Sequence, residues 1–510
     1  MSGDGSLQAL AESLTESLTE RIGGSGIEAG RATVAGLRQA LESGSLTSAE
    51  LTAFYAGRTE RLNPDLRAVI TVSPDVLDQA AASDAARARG AARGPLEGIP
   101  VLIKDNIAAA GLPATAGSPA LADAESGDAF LVARLRAAGA VIAGKANLSE
   151  WANIRSTRSS SGWSTLGGQT VNPHGSGRNP SGSSSGSAAA VAAGMAPLAV
   201  GTETNGSIVS PSSACGVVGL KPTVGLVSRG GIVPISTVQD TAGPMTRCVA
   251  DAAALLGVLA GPDPADQATA GAASRPADYT GYLDPGALAG ARLGIWRDGS
   301  RAAGPATAAV LDVAVDRLRA GGAEVIDPVP LPGADEAGEP ELVALLHEFK
   351  HDLNTYLAAL PGPGEHPGTL AELIGYNAAH AGRVLAYFGQ DLFERAEATS
   401  GDLDDPGYLA ARGDARRLAR AALDGALNEH RLDAVVSLTG GPARLTDHLL
   451  GDLHEFSTSG PAAVTGYPSI TVPAGRVGGL PVGLLLSGPA WSEPRLIALA
   501  FAFEQATGPV

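Results

Sequence analysis

Two serines and a lysine carry the chemistry this chain could perform. Ser183 lies in the strip NPSGSSSG, and Ser207 ends the turn Thr204-Asn205-Gly206-Ser207, 24 residues later. Lys104 ends the apolar run IPVLIK, 79 residues before Ser183. A serine hydroxyl is a poor nucleophile until a base removes its proton, and an amine shielded from water can be that base. Moving a lysine from its usual pKa of about 10.4 to about 7.5 costs roughly 4 kcal/mol, which a desolvated site can impose. Asp105 would oppose the shift if it faced the ammonium, so its side chain is expected to point away. A strand-end lysine also has an ordinary reading as a surface residue, and these residues alone do not choose between the two.

Two other patterns compete. G-x-S-x-G occurs at 182–186, centred on Ser184, but a nucleophile elbow needs a buried strand before it, and RNPS stands there. His347-Glu348-Phe349-Lys350-His351 is an H-E-x-x-H, which on a helix places two imidazoles on one face for zinc. A third ligand is required, and Asn354 and Leu357 occupy the positions that the extended motif needs. A short motif with one loose end is more often a solvated helix face, and no metal is expected.

The elements around the serines decide whether those turns are ordered. Ten of the thirteen residues at 175–187 are Gly or Ser, the composition of a linker. Apolar residues follow directly: Val191, Ala192, Met195, Leu198 and Val200, then Ile208, Val217, Val218 and Leu220 after the second turn. The pattern predicts an ordered loop, an Ala-rich helix, a strand at 197–201 and a second turn.

Elsewhere periodicity predicts helices at 32–43 and 48–61, the second opened by a Thr47-x-x-Glu50 capping box. Strands are expected at 68–72, 99–103 and 140–144, with a helix at 128–138 capped by Asp128. Further on come a helix at 248–260, a strand–helix–strand unit at 292–296, 307–320 and 323–328, and strands at 434–439, 468–473 and 482–488. A helix at 494–507 follows. Alternating strands and helices argue for an α/β fold. Leu7, Leu10, Leu14 and Leu18 give a thin helix or extension within 1–27. The core is expected to span 28–334 and 431–510, interrupted by a mainly helical subdomain at 335–430.

Composition bounds the function. With 510 residues, of which 44% are hydrophobic, the chain can bury a large core, and global disorder is excluded. Gly (67) and Pro (34) make about a fifth of it, against an average of about 12%, so many tight turns are implied. A net charge of −17 argues against nucleic acid as the main partner. Cys215 and Cys248 lie in apolar surroundings without C-x-x-C spacing and are expected as buried, reduced thiols. Residues 1–20 lack the basic start and apolar run of a secretory signal, so a soluble, cytoplasmic protein is expected.

Lys104 in PVLIKDNI, the strip PSGSSSGSAAAVAAG, the segment GTETNGSIVSPSSACGVVGLKPT and the tail PSITVPAGRVGGLPVGLLLSG together resemble the amidase signature family over nearly the whole chain. SGWSTLGGQTVNP, VGLVSRGGIVPIS and QDTAGPMTR are similar to the branch that releases ammonia from C-terminal peptide amides. The resemblance implies a large mixed β-sheet with helices on both faces, and a Ser-Ser-Lys triad. In it Ser207 is the nucleophile, Ser183 the bridging serine behind a cis Gly182-Ser183 peptide, and Lys104 the terminal base. Backbone donors of Thr204, Asn205, Gly206 and Ser207 would hold the oxyanion.

No cofactor is implied, nor any histidine, so His174 reads as a surface or structural residue. Thr157, Trp163 and the 335–460 region would shape the acyl pocket, with Trp163 equally readable as core. The chain departs from the common G-G-S-S-G-G strip at Ser181 and Ser185, and has Asn205 where many members have Gly. Asn tolerates a left-handed backbone, so that turn can survive. The implied partner is a peptide or small-molecule amide, taken by a monomer or homodimer, without nucleic acid or membrane. Alternatives are an aryl or fatty amide hydrolase, the A component of an amidotransferase that works with partners on aminoacyl-tRNA, and a zinc peptidase.

Overall fold

The computed structural model describes residues 32–362, 366–453 and 456–508, so the expected N-terminal helix lies outside the described residues. Strand-forming runs assemble as β1 (Val69–Val72), β2 (Pro100–Lys104), β3 (Val141–Ala146), β4 (Trp163–Ser164), β5 (Gly168–Gln169), β6 (Leu198–Glu203), β7 (Val218–Lys221), β8 (Thr241–Thr246), β9 (Arg292–Ile295), β10 (Glu324–Ile326), β11 (Ala434–Leu438), β12 (Ser469–Val477) and β13 (Leu480–Ser487). β4 and β5 pair only with each other. The other strands form one 11-stranded sheet in the order β1-β3-β2-β6-β8-β7-β12-β13-β11-β9-β10.

Both ends of the sheet are partly parallel. β3, β2 and β6 run parallel at one end, and β11, β9 and β10 at the other, while the centre from β6 through β13 to β11 is antiparallel. This is the large mixed sheet that the resemblance implies.

Helices cover both faces. Val101, Ile103, Leu198 and Val200 join a core with the helices Val34–Glu42, Val249–Leu259, Pro305–Ala320 and Glu493–Thr507. The alternate residues Leu102 and Ala199 join a second cluster with the Ala-rich helix Ser185–Ala192. Strands β2, β6 and β13 are buried along their whole length, which explains why they read as apolar runs, whereas β8, equally buried but reading TAGPMT, is not among the expected strands. Between β10 and β11 the chain forms the helices Gly338–Ala359, Leu370–Ala379, Ala381–Val384, Asp391–Glu397 and Pro406–Glu429. Among the described residues no helix is long and apolar enough to cross a membrane.

Local chemistry explains several boundaries. Thr47 Oγ1 accepts from the Glu50 amide at 3.1 Å, and Glu50 Oε2 accepts from the Thr47 amide at 2.8 Å, so the capping box forms. The expected helix at 128–138 starts two residues later, at Phe130. Asp128 does not cap it but accepts from the Ala110 amide and from Arg136. The helix Val76–Ala88 escapes periodicity because its buried positions are mostly small: Ala80, Ser83 and Ala86. Cys215 is buried and Cys248 half-buried, both as free thiols.

The helix Ser185–Ala192 lies unusually close to the backbone beneath it. A Cβ on Gly186 would stand 2.2 Å from the Ala68 carbonyl oxygen and 2.5 Å from that of Asn147. Backbone atoms cannot rotate out of the way, so Gly186→Ala is expected to lower stability by about 3 kcal/mol. A lower urea midpoint measures this, and an unchanged midpoint would contradict the close approach.

Candidate active site

β2 and β6 are parallel neighbours with Ile103 opposite Val200, so their C-terminal ends reach the same edge of the sheet. In α/β sheets that edge is where loops present reactive groups. Lys104 closes β2, and β6 runs out through Glu203 into the 204–207 turn. The helix Ser185–Ala192, which leads back to β6, brings Ser183 to the same place. The Ser184 amide donates to the Ser207 carbonyl at 3.0 Å, which ties the two serine turns together.

Lys104 is fully buried. Its Nζ lies 2.7 Å from Ser183 Oγ, 2.8 Å from Thr202 Oγ1 and 3.2 Å from the Thr202 carbonyl oxygen. No carboxylate pairs with it among the described residues. Burial lowers its pKa from 10.5 to about 7, with Asp240 and Glu203 pulling weakly upward. A neutral amine has two N–H donors and one lone pair, which matches these three contacts if Ser183 donates its hydroxyl proton to Nζ.

Asp105 does point away: its carboxylate accepts from the Gly117 amide and Thr115 Oγ1, and lies 3.8 Å from Lys145. Lys145 and Lys221 are two further buried strand lysines, the second within the GVVGLKPT end of the quoted family segment, and both are lowered by burial to about 8. Their amines rest on backbone carbonyls, those of Ile107 and Pro113 for Lys145 and of Pro222 for Lys221. Lys104 differs from both in facing a serine hydroxyl.

The Gly182-Ser183 peptide is cis. Gly182 tolerates no side chain, because a Cβ there would meet Ser149 Oγ at 2.3 Å and Ser161 Oγ at 2.9 Å. The left-handed residue of this strip is Ser181, at φ 61°, held by Asn179 Oδ1 accepting from its amide at 2.7 Å. Ser184 is a strut, donating to the Thr202 carbonyl and accepting from the Thr202 amide, which removes it as a nucleophile.

In the 204–207 turn the left-handed position is Gly206, at φ 82°, and Asn205 is not left-handed. Asn205 instead serves as an anchor: its Nδ2 donates to both Glu341 oxygens at 3.0 and 3.1 Å, and its Oδ1 accepts from Ser459 Oγ at 2.7 Å. Glu203 accepts from the amides of Gly206, Ile208 and Val209. The Gly206 amide, expected among the oxyanion donors, is therefore turned onto a carboxylate. The amides of Thr204, Asn205 and Ser207 have no acceptor among the described residues. Asp240, its pKa raised by burial to about 6, accepts from Thr204 Oγ1 at 2.5 Å and from two backbone amides. Glu203, Asp240 and Thr202 went unnoticed in the sequence, although Glu203 and Thr202 stand inside the GTETNGS motif.

Ser207 Oγ has no hydrogen-bond partner among the described residues and opens into a cavity of about 790 Å³. Ser181, Gly182, Asn205, Asn153 and Ser161 line it on one side and residues from Thr439 to Ser459 on the other. A larger cavity of about 920 Å³ lies beside the helix Ser48–Leu66, away from all three chemical residues.

Thr157 and Trp163 do not line the serine cavity. Thr157 is exposed and donates to Asp391 from its amide and hydroxyl. Trp163 is buried edge-on against Tyr387 and Phe388 with Arg155 over its ring, which is the core reading. Of the H-E-x-x-H residues, Glu348 is spent on Arg412, Tyr408 and Ser236. His351 contacts the Gly401 carbonyl and His347 Ser400 Oγ. His174 is half-buried against the Cys215 carbonyl, a structural role.

The family profile described as Amidase matches residues 50–497. The chain is 42% identical to a probable amidase of Arabidopsis thaliana, covering 93% of this chain and 90% of that protein. The crystal structure of a peptide amidase from Stenotrophomonas maltophilia superposes with a TM-score of 0.88 at 50% identity, covering 93% of this chain and 97% of that one. The A component of a glutamyl-tRNA(Gln) amidotransferase from Chloroflexus aggregans is 34% identical over 93% of this chain and 96% of its own length.

Burial of Lys104 has a consequence for stability. Its pKa is about 7 folded and 10.5 in the ordinary state, so the unfolded chain binds more protons between those values. The burden of burying this amine is therefore full below pH 7 and fades as pH rises toward 10.5. Lys104→Met is expected to have its largest stability advantage over the parent at about pH 6 and a smaller one at about pH 9. Urea titrations at both values measure it; an advantage that grows with pH would contradict a desolvated Lys104.

Proposed function

The chain belongs to the amidase family and is an amide-hydrolysing enzyme, and on that premise we propose that it releases ammonia from the C-terminal carboxamide of peptides through Ser207, Ser183 and Lys104. The observation that carries this reading is a buried amine, 2.7 Å from the Ser183 hydroxyl, behind a cavity into which the Ser207 hydroxyl opens.

The steps follow from that placement. Uncharged Lys104 takes the proton of Ser183, and Ser183 takes that of Ser207 as Ser207 Oγ attacks the carboxamide carbon. The two serine hydroxyls close on each other as substrate binds, since catalytic hydrogen bonds tighten in the bound complex. The free amides of Ser207, Asn205 and Thr204 receive the negative oxygen, each donor being worth about 3 to 4 kcal/mol in comparable sites. Ser183 passes its proton to the departing nitrogen, ammonia leaves, and water hydrolyses the acyl-enzyme by the reverse relay.

The peptide preference is supported by the likeness to the S. maltophilia peptide amidase and by the cavity itself. Ammonia needs almost no room, so a chamber of about 790 Å³ serves the acyl portion. Its lining of Asn153, Ser161, Asn179, Ser181 and Ser210 suits peptide backbone better than a hydrocarbon chain. The likeness to the A components of amidotransferases supports a second reading, in which the ammonia passes to a partner. Ammonia release by the purified chain alone separates the two.

Ser207→Ala is expected to lower ammonia release from an N-acetyl dipeptide amide by at least about 10³-fold. Turnover near the parent level would refute the nucleophile. For the parent, kcat/KM is expected to climb with pH through about 7 as Lys104 loses its proton. A flat profile from pH 5.5 to 8.5 would count against an amine base.

A further inference from the structure

The helix Gly338–Ala359 turns three carboxylates onto the loops beneath it. Glu341 reaches Asn205 and Gln239, Glu348 accepts from Ser236 Oγ at 2.5 Å, and Asp352 accepts from the Thr237 amide at 2.6 Å. The spacings of seven and four residues keep all three on one face of the helix. Glu348 has Arg412 as its cation. Glu341 is also buried, yet no cation pairs with it directly among the described residues: its bonds come from two neutral amides, and Arg412 reaches it only through Gln239, whose Oε1 accepts from Arg412 at 2.9 Å.

A buried carboxylate with no cation in direct contact is an expensive way to hold a helix in place. What it supplies is two acceptor oxygens, both taken up by the catalytic turn and its support. Asn205 Nδ2 donates to both, and Gln239 Nε2 bridges from Glu341 Oε1 at 2.6 Å to the Thr204 carbonyl at 3.0 Å. The turn residue Asn205 also has somewhere else to go. Behind it lies a second cavity of about 160 Å³, lined by Asn205, Glu341, Ser457 and Ser459, three of which also line the serine cavity.

We propose that Glu341 is a positioning residue for amide hydrolysis: it latches Asn205 out of the rear cavity and so fixes the Thr204, Asn205 and Ser207 amides against the oxyanion. This couples the helical segment to the chemistry at a position where the turn carries Asn rather than Gly. The inference rests on the reading of Ser207 as nucleophile.

The experiment is a double-mutant cycle on the full chain, with the N-acetyl dipeptide amide as substrate. Glu341→Ala is expected to lower kcat by about 10- to 100-fold with KM changed less than about threefold, because a misplaced turn weakens transition-state binding more than substrate binding. Glu341→Gln keeps an acceptor oxygen for Asn205 and is expected to stay within about fivefold of the parent. With Asn205→Gly already present there is no side chain to latch, so adding Glu341→Ala is expected to cost less than about twofold more.

Glu341→Ala within twofold of the parent, or the same loss in both backgrounds, would overturn the latch. Should Glu341→Ala fail to fold, Glu341→Met, which fills the same space without an acceptor, takes its place in the cycle with Asn205→Gly. A kcat for Glu341→Met within twofold of the parent, or the same loss in both backgrounds, would then overturn it. Ser207→Ala separates the levels: if it retains turnover the nucleophile is wrong, whereas if it is dead and Glu341→Ala is not impaired, only the latch is wrong.

Discussion

The structure depends on taking one amine out of water without giving it a counter-ion. Lys104 closes a strand buried along its whole length, and every group within hydrogen-bond reach of its nitrogen is a hydroxyl or a carbonyl. Desolvation then disfavours the ammonium, and the charge pattern leaves that effect standing. Lys145, one strand away, shows what is avoided: it has Asp105 at 3.8 Å and two carbonyl oxygens. The same residue type on neighbouring strands thus rests on carbonyl oxygens in one place and faces a serine hydroxyl in the other.

Keeping carboxylates from pairing with Lys104 is a demanding condition in a chain with a net charge of −17. Acidic residues do surround the site, but each is turned elsewhere. Glu203 accepts from three amides of the turn, Asp240 from Thr204 and two amides, and Asp105 from Gly117 and Thr115. These bonds shape the loops and at the same time aim the negative oxygens away from the amine. Shaping the 204–207 turn and leaving the Lys104 amine without a partner of opposite charge are one arrangement of side chains.

The sequence displayed the parts of this that are local. Lys104, Ser183 and Ser207 stand in dense motifs, the apolar runs of β2, β6 and β13 are continuous because both faces are covered, and the Thr47 capping box is written in four residues. What it hid is whatever depends on distant partners. Nothing near Asn205 announces Glu341, 136 residues on, so its presence read as a question of backbone tolerance when it is one of side-chain anchoring. Asp128 looked like a helix cap until Arg136 and the Ala110 amide competed for it. Trp163 could be assigned to pocket or core only by the rings it meets, Tyr387 and Phe388. The Gly206 amide looked available because Glu203, three residues earlier, gives no sign of which way its carboxylate turns.

The order of strands also governs how the molecule is made. Lys104, Ser183 and Ser207 all come from residues 104 to 207, yet β12 and β13, which fill the gap between β7 and β11, follow some 260 residues later. While the chain is being synthesised, two half-sheets therefore wait with bare inner edges, and unpaired edges invite pairing with other chains. The β12–β13 hairpin joins the halves at the centre of the sheet, so neither inner edge is covered before that hairpin is made. The sheet beneath Ser207 is therefore continuous only once the chain has been made as far as Ser487.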